Sequence, residues 1–209
     1  MNNSVEIITV NYCTPELIKK LVRSVRKYEG DYPIRVIDGS DKEPYISQMR
    51  DIMDIDLEQF GYNIHHGRGL DYGIKTSKYE WCLLVDSDVT IKKPVINKLF
   101  ITKMFSNKMI IGRKLNHYTR NGTKYDYYSL SFLLINQKFY MRMRNHGIKF
   151  IHDGAPGYMF FRHIHDKKMN VCINVFDNRG IKWDEYIEHR HRGTRDKFND
   201  RLKAIINVK

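Results

Sequence analysis

The stretch "EWCLLVDSDVTI" (80–91) runs from a hydrophobic segment straight into Asp86, Ser87 and Asp88. An ionised carboxylate is costly to bury without partners, so a strand interior does not end this way for its own stability. A strand that carries two carboxylates to the rim of a sheet suits a divalent cation. Mg2+ and Mn2+ prefer oxygen ligands and often take one or two carboxylates, with phosphate oxygens completing the shell. A helix cap or a polar turn uses the same residue types. Asp38 shifts the balance towards a ligand site, because it ends a second apolar run, "PIRVIDGS" (33–40).

The elements that would position these acids can be read from periodicity. "SVEIITVNY" (4–12) has the short, β-branched, continuous apolar character of a buried strand. "TPELIKKLVRSVRKY" (14–28) reads as a helix. Thr14 suits the cap, Pro15 the first turn, and Leu17, Leu21, Val22 and Val25 share one face. With the strand at 33–40 this forms a β-α-β unit, hence a parallel pair with a right-handed crossover. Onward, the pattern predicts a helix over 43–61, a short strand at 62–66, a helix opening at "GRGLDYGIKTS" (67–77) and a strand at 79–88. Strands alternating with helices indicate an α/β fold with a mixed, mostly parallel sheet flanked by helices on both faces.

The second half is less regular. It predicts a helix at 93–105 and strands at "MIIGRKL" (109–115) and "YYSLSFLLINQKFY" (127–140), with 117–126 as the polar turn between them. The stretch 149–168 begins as a strand, breaks at Gly154–Gly157 and resumes as a helix. A late strand follows at 170–176, then a polar, His-rich, finally helical segment over 182–205.

In an open parallel sheet, ligands bind beyond the carboxyl ends of the strands. Asn11 and Tyr12, Asp38 with Gly39 and Ser40, and the Asp86–Asp88 turn all fall on that edge. A nucleotide laid across it fits, with Gly39 allowing close backbone approach.

Composition bounds the rest. The 209 residues carry 36 basic and 24 acidic side chains, a net charge of +12, which calls for an anionic partner. The basic residues are dispersed, which favours a diphosphate over nucleic acid. Three cysteines, Cys13, Cys82 and Cys172, without a CxxC pair, argue against a disulfide framework and fit a reduced, cytoplasmic protein. The N-terminus lacks the pattern of a signal peptide, and no apolar run reaches the roughly 20 residues of a membrane helix. The chain reads as one domain, alone or as part of a longer protein.

Three stretches together resemble GT-A fold glycosyltransferases of the large family with "SVIIPTYN…VVDDGSTD…GxxxARNxG…YIxFLDxDD". They are "VEIITVNYCTPELIKKLVRSV", "IRVIDGSDKE" and "HHGRGLDYGIKTSKYEWCLLVDSDVTI". The resemblance covers residues 5–91 and continues more faintly to about 194, through "HDGAPGYMFFRHIHD". It departs from the pattern in having one acid in "IDGS" and in lacking "ARN".

The resemblance implies a GT-A, Rossmann-like fold in a single domain over 1–209. Residues 1–91 form the nucleotide-sugar-binding half, and 92–209 complete the acceptor and metal sites. It implies a UDP-sugar, less often a dTDP-sugar, and Mn2+ or Mg2+. Val10 and Tyr12 fall beside the base, and Asp38 at uracil or ribose. Arg68 lies near the base, with Asp71 in reach of the same pocket. Asp86 would meet ribose or sugar, with Ser87 in the same turn, and Asp88 would hold the metal. "EYIEHRHRGT" (185–194) resembles the late element that supplies a metal-binding His; His191 fits best and His189 is the alternative. Asp153 in "IHDGAPGY" is the expected general base, ahead of Asp166 and Asp126. An Asx-turn before Gly154 would use Asp153 equally well.

The expected activity is transfer of a hexosyl or deoxyhexosyl unit to a hydroxyl of a glycan or glycoprotein, with inversion. The expected partners are the donor and that acceptor, with no nucleic acid and no membrane span. A nucleotidyltransferase would put a Gly-rich loop after the first strand, where "NYCTPE" stands. A basic nucleic-acid module would leave the carboxylates without a use.

Overall fold

The computed structural model describes residues 4–104, 108–120, 123–151, 157–169, 173–175 and 182–190. β1 (Val5–Asn11) is buried along nearly its whole length, as a strand covered on both faces must be. α1 (Pro15–Tyr28) has Pro15 at its start, where a missing N–H costs nothing. Thr14 does not cap it. Its hydroxyl donates to Asn11 Oδ1 at 2.6 Å, tying the helix start to the end of β1. β2 (Ile34–Asp38), α2 (Tyr45–Arg50), β3 (Asp56–Gln59), α3 (His66–Thr76) and β4 (Trp81–Val85) complete the first half.

β5 (Val89–Ile91), α4 (Ile96–Met104), the long pair β6 (Ile110–Arg120) and β7 (Thr123–Asn136), and α5 (Gln137–Asn145) follow. The last elements are α6 (Tyr158–Asp166), β8 (Ile173–Val175), α7 (Trp183–Tyr186) and β9 (Ile187–His189).

Among the described residues the main sheet has the order β3-β2-β1-β4-β7-β6-β8. Only β7 runs antiparallel to its neighbours. β1 leads to β2 on one side and lies against β4 on the other, which makes its carboxyl end the switch point. A second, two-stranded antiparallel sheet pairs β5 with β9.

The pleat of β4 sends Trp81, Leu83 and Val85 to one face and Cys82 and Leu84 to the other. The first face packs against α1, α2 and α4, and the second against α3, α5 and α6. α3 lies unusually close to the sheet. A Cβ on Gly73 would come within 2.7 Å of Ile8 Cγ2, and one on Gly69 within 2.8 Å of Val10 Cγ2.

Several expected boundaries differ from the structure. The helix expected over 43–61 stops at Arg50, and the third strand is 56–59 rather than 62–66. β3 is an edge strand of sequence "DLEQ", partly exposed throughout, so it lacks the apolar signature of its neighbours. His66 already belongs to α3. The expected polar turn at 117–126 is mostly ladder, with Tyr118 opposite Tyr125 and Thr119 opposite Lys124. Tyr and Thr favour strands whatever their polarity.

The strand expected over 127–140 ends at Asn136, whose side chain accepts from Phe139 N at 3.0 Å and starts α5. The described residues at 149–151 form no strand. Phe150 is apolar because its ring packs against Tyr140 and Phe160 at 5.1 and 4.9 Å between centroids. β9 falls in the polar, His-rich stretch that precedes the expected late helix.

Candidate functional site

The turn after β4 is built by two backbone bonds. Asp86 N donates to Ser131 O and Val89 N donates to Asp86 O, both at 3.1 Å. The chain then enters β5, whose partner β9 places His189 opposite Val89. Arg190 N donates to Asp88 O at 3.3 Å and closes the arrangement. His189 Nε2 thereby stands 3.0 Å from Asp88 Oδ1 and 3.4 Å from Asp86 Oδ2. One ligand atom from each of Asp86, Asp88 and His189 lies within 4.8 Å of the others. Two carboxylates and an imidazole at this spacing could hold a metal ion.

The site's charges are interlocked. Burial would push the His189 imidazole down, but bonds and charge from Asp86 and Asp88 raise it to about 9. Burial would raise the Asp86 carboxyl. The charges of His66 and His189, with the bonds both make, hold it well below the ordinary carboxylate range. His66 is raised too, against burial, by Asp86 first and Asp88 second. His66 Nε2 is 3.1 Å from Asp86 Oδ1.

The end of β2 is organised differently. Asp38 is fully buried. Its Oδ1 accepts from Asn11 Nδ2 at 2.9 Å, from Ser40 N at 3.1 Å and from Ser40 Oγ at 2.6 Å, and its Oδ2 accepts from Gln59 Nε2 at 3.2 Å. Gly39 is crowded by backbone rather than open to a ligand. A Cβ there would stand 3.0 Å from Ile64 N and from Tyr62 O. Tyr12, at the end of β1, donates from its hydroxyl to the exposed Asp41 carboxylate at 3.2 Å. Val10 is half-buried under α3, Arg68 is exposed on that helix, and Ser87 is buried between the two acids.

Asp71 is directed elsewhere. Its carboxylate accepts from Tyr140 Oη at 2.9 Å and from Arg144 Nε at 2.9 Å, so it ties α3 to α5. Asp153 and His191 lie outside the described residues, and His189 lies against the acids. Asp126 pairs with Lys114 at 2.8 Å, and Asp166 pairs with Arg162 at 3.5 Å.

A cavity of about 230 Å³ opens beside the acids, with His66, Asp86, Arg113, Ser129, Ser131 and Trp183 in its wall. The Arg113 guanidinium sits 5.7 Å from the Trp183 ring centre. Trp183 is itself buried and packs edge-on against Phe132. Tyr158 and Phe160 are core residues.

The contact of His66 with Asp86 is non-local and leaves no motif in the sequence. Its one signal was position, just before a Gly-flanked helix start on the ligand edge. Arg113, Ser129 and Ser131 gave no signal, since nothing in a strand sequence says which face lines a cavity.

A family model described as "Glycosyl transferase family 2" matches residues 4–169. The fold is shared with S. aureus TarS 1–349, at TM-score 0.51 and 16% identity, over 71% of this chain and 50% of that one. The same TarS fragment in complex with UDP-GlcNAc matches at TM-score 0.51 and 15% identity, over 71% and 48%. Its complex with UDP matches at 14% identity and the same TM-score. The chain spans about half the length of these structures. No curated protein sequence matches it. No helix among the described residues is long and apolar enough to cross a membrane.

Proposed function

The chain belongs to glycosyl transferase family 2, and from that premise we propose a cation-dependent transferase that moves a hexosyl or deoxyhexosyl unit from a UDP-sugar to a hydroxyl of a glycan or glycoprotein. A dTDP-sugar is the less favoured donor. The observation that carries the reading is the meeting of Asp86, Asp88 and His189 at the carboxyl edge of the sheet, beside its switch point. Support for a uridine donor comes from TarS, whose structures hold UDP and UDP-GlcNAc.

Each residue has a task in this reading. Val10 and Tyr12 border the base. Asp38 works from beneath, fixing the loop of Gly39 and Ser40 against β1. Arg68 supplies positive charge on the donor side. Asp86 would turn one carboxylate oxygen to the cation beside ribose or sugar, with Ser87 setting the turn, and Asp88 and His189 would complete the hold on Mn2+ or Mg2+. The cation, when bound, stabilises charge developing on the departing diphosphate. Asp153 takes the proton of the acceptor hydroxyl as that oxygen bonds to the anomeric carbon. The bond from that carbon to the diphosphate oxygen breaks at the same time, with inversion.

A donor screen tests this. UDP- and dTDP-linked hexoses and deoxyhexoses, each with Mn2+, Mg2+ or EDTA, are assayed for nucleotide release and for transfer to glycan acceptors. Release from a UDP-sugar that needs the cation and is lost in Asp88→Ala is the expected result. Release that survives EDTA, or turnover of no sugar nucleotide, would contradict the proposal.

A further inference from the structure

The Asp86 carboxylate is contacted from two sides. His189 approaches Oδ2 from β9, whereas His66 Nε2 meets Oδ1 at 3.1 Å from the first residue of α3. Facing an ionised carboxylate, which only accepts, His66 acts as the donor. His66 does not belong to the Asp86, Asp88 and His189 set, and its direct contact with that set is to Asp86.

The helix that delivers it is fixed along its length. Gly69 and Gly73 bring α3 down onto Val10 and Ile8, and Asp71 is bound by Tyr140 and Arg144 of α5. A donor on so firmly seated a helix stops the Asp86 carboxylate from turning about its last bond. With Oδ1 held, Oδ2 stays aimed at the side shared with His189 and Asp88. Partners that orient a ligating carboxylate in this way govern affinity without touching the ion.

We propose that His66 is a positioning residue for the cation site, holding Asp86 in the orientation that binds metal. The inference rests on the cation-dependent reading above, and its test separates the two. Mn2+ affinity of the UDP-loaded protein is measured by electron paramagnetic resonance for wild type, His66→Ala and His66→Gln, with melting temperatures and cation-free UDP affinity alongside. Gln carries a donor close to the position of Nε2.

His66→Ala is expected to weaken Mn2+ about 10- to 100-fold, the usual cost of losing such a partner. His66→Gln recovers most of that affinity, and cation-free UDP affinity stays as in wild type. Mn2+ affinity unchanged in His66→Ala, or no better in His66→Gln than in His66→Ala, would overturn the inference while leaving the cation reading standing. Wild-type protein that binds no Mn2+ with UDP would overturn the cation reading and this inference with it.

Discussion

Asp38 and Asp86 end the two strands that flank β1, and on paper they are equivalent: one acid at the end of one apolar run. Their surroundings make them opposites. Asp38 is fully buried and surrounded by neutral donors from Asn11, Ser40 and Gln59. Asp86 keeps 24% of its side chain exposed and faces two imidazoles. Neutral donors from three segments make a structural clasp, because every bond is used within the protein. In the proposed reading, titratable partners around a partly exposed carboxylate let the site exchange protons for a cation. A strand end thus fixes where a carboxylate sits, and its partners decide what it does.

The contrast is broken most severely at the cation side. Asp88→Ala should abolish cation-dependent UDP binding, a loss beyond the roughly 100-fold seen when only an orienting partner is removed. Its melting temperature should stay near wild type. Calorimetry and a thermal scan read both.

At the other strand end the pattern should invert. Asp38→Ala leaves buried donors on Asn11, Ser40 and Gln59 unsatisfied, at about 1–3 kcal/mol for each group left bare. A total near 3 kcal/mol is expected in chemical denaturation. Stability equal to wild type would show that Asp38 is no clasp.

Proton competition sharpens the comparison further. His189 is raised to about 9, so below that pH the proton must leave before a cation can bind. Mn2+ affinity should rise up to about tenfold per pH unit through the neutral range and level off above about 9. Without cation the sign reverses. A pKa higher in the folded than in the unfolded state adds stability that is complete below about 6.5 and lost as pH rises through about 9. Denaturation across this range, with and without Mn2+, should give opposite slopes, whereas parallel slopes would remove His189 from the site. Tyr140→Phe, which takes the hydroxyl from Asp71 and from Phe150 N, should cost the least. About 1 kcal/mol of stability is expected, with Mn2+ affinity nearly kept.

Much of the first half was legible because its signals are local. β1, α1, β2 and β4 are continuous apolar runs or clear amphipathic turns. The acids at 86 and 88 stand out because they interrupt such a run. β3 was misplaced because an exposed edge strand has no apolar face to show, and "DIDLEQF" satisfies helical spacing as well. His189 and His191 point the same way in an extended chain. Only the β5–β9 register, a non-local fact, brings His189 to the acids. The donors that enclose Asp38 come from β1, β3 and its own loop, at separations no motif records. The partners of His66 and Asp71 are likewise remote in sequence, in the turn after β4 and on α5.

Calorimetric titration of UDP, with GDP, ADP and dTDP as controls, in Mn2+ and then in EDTA, tests the central claim most directly. Tight UDP binding that needs the cation is the predicted result. UDP binding of equal strength in EDTA, or no binding of any nucleoside diphosphate, would contradict it.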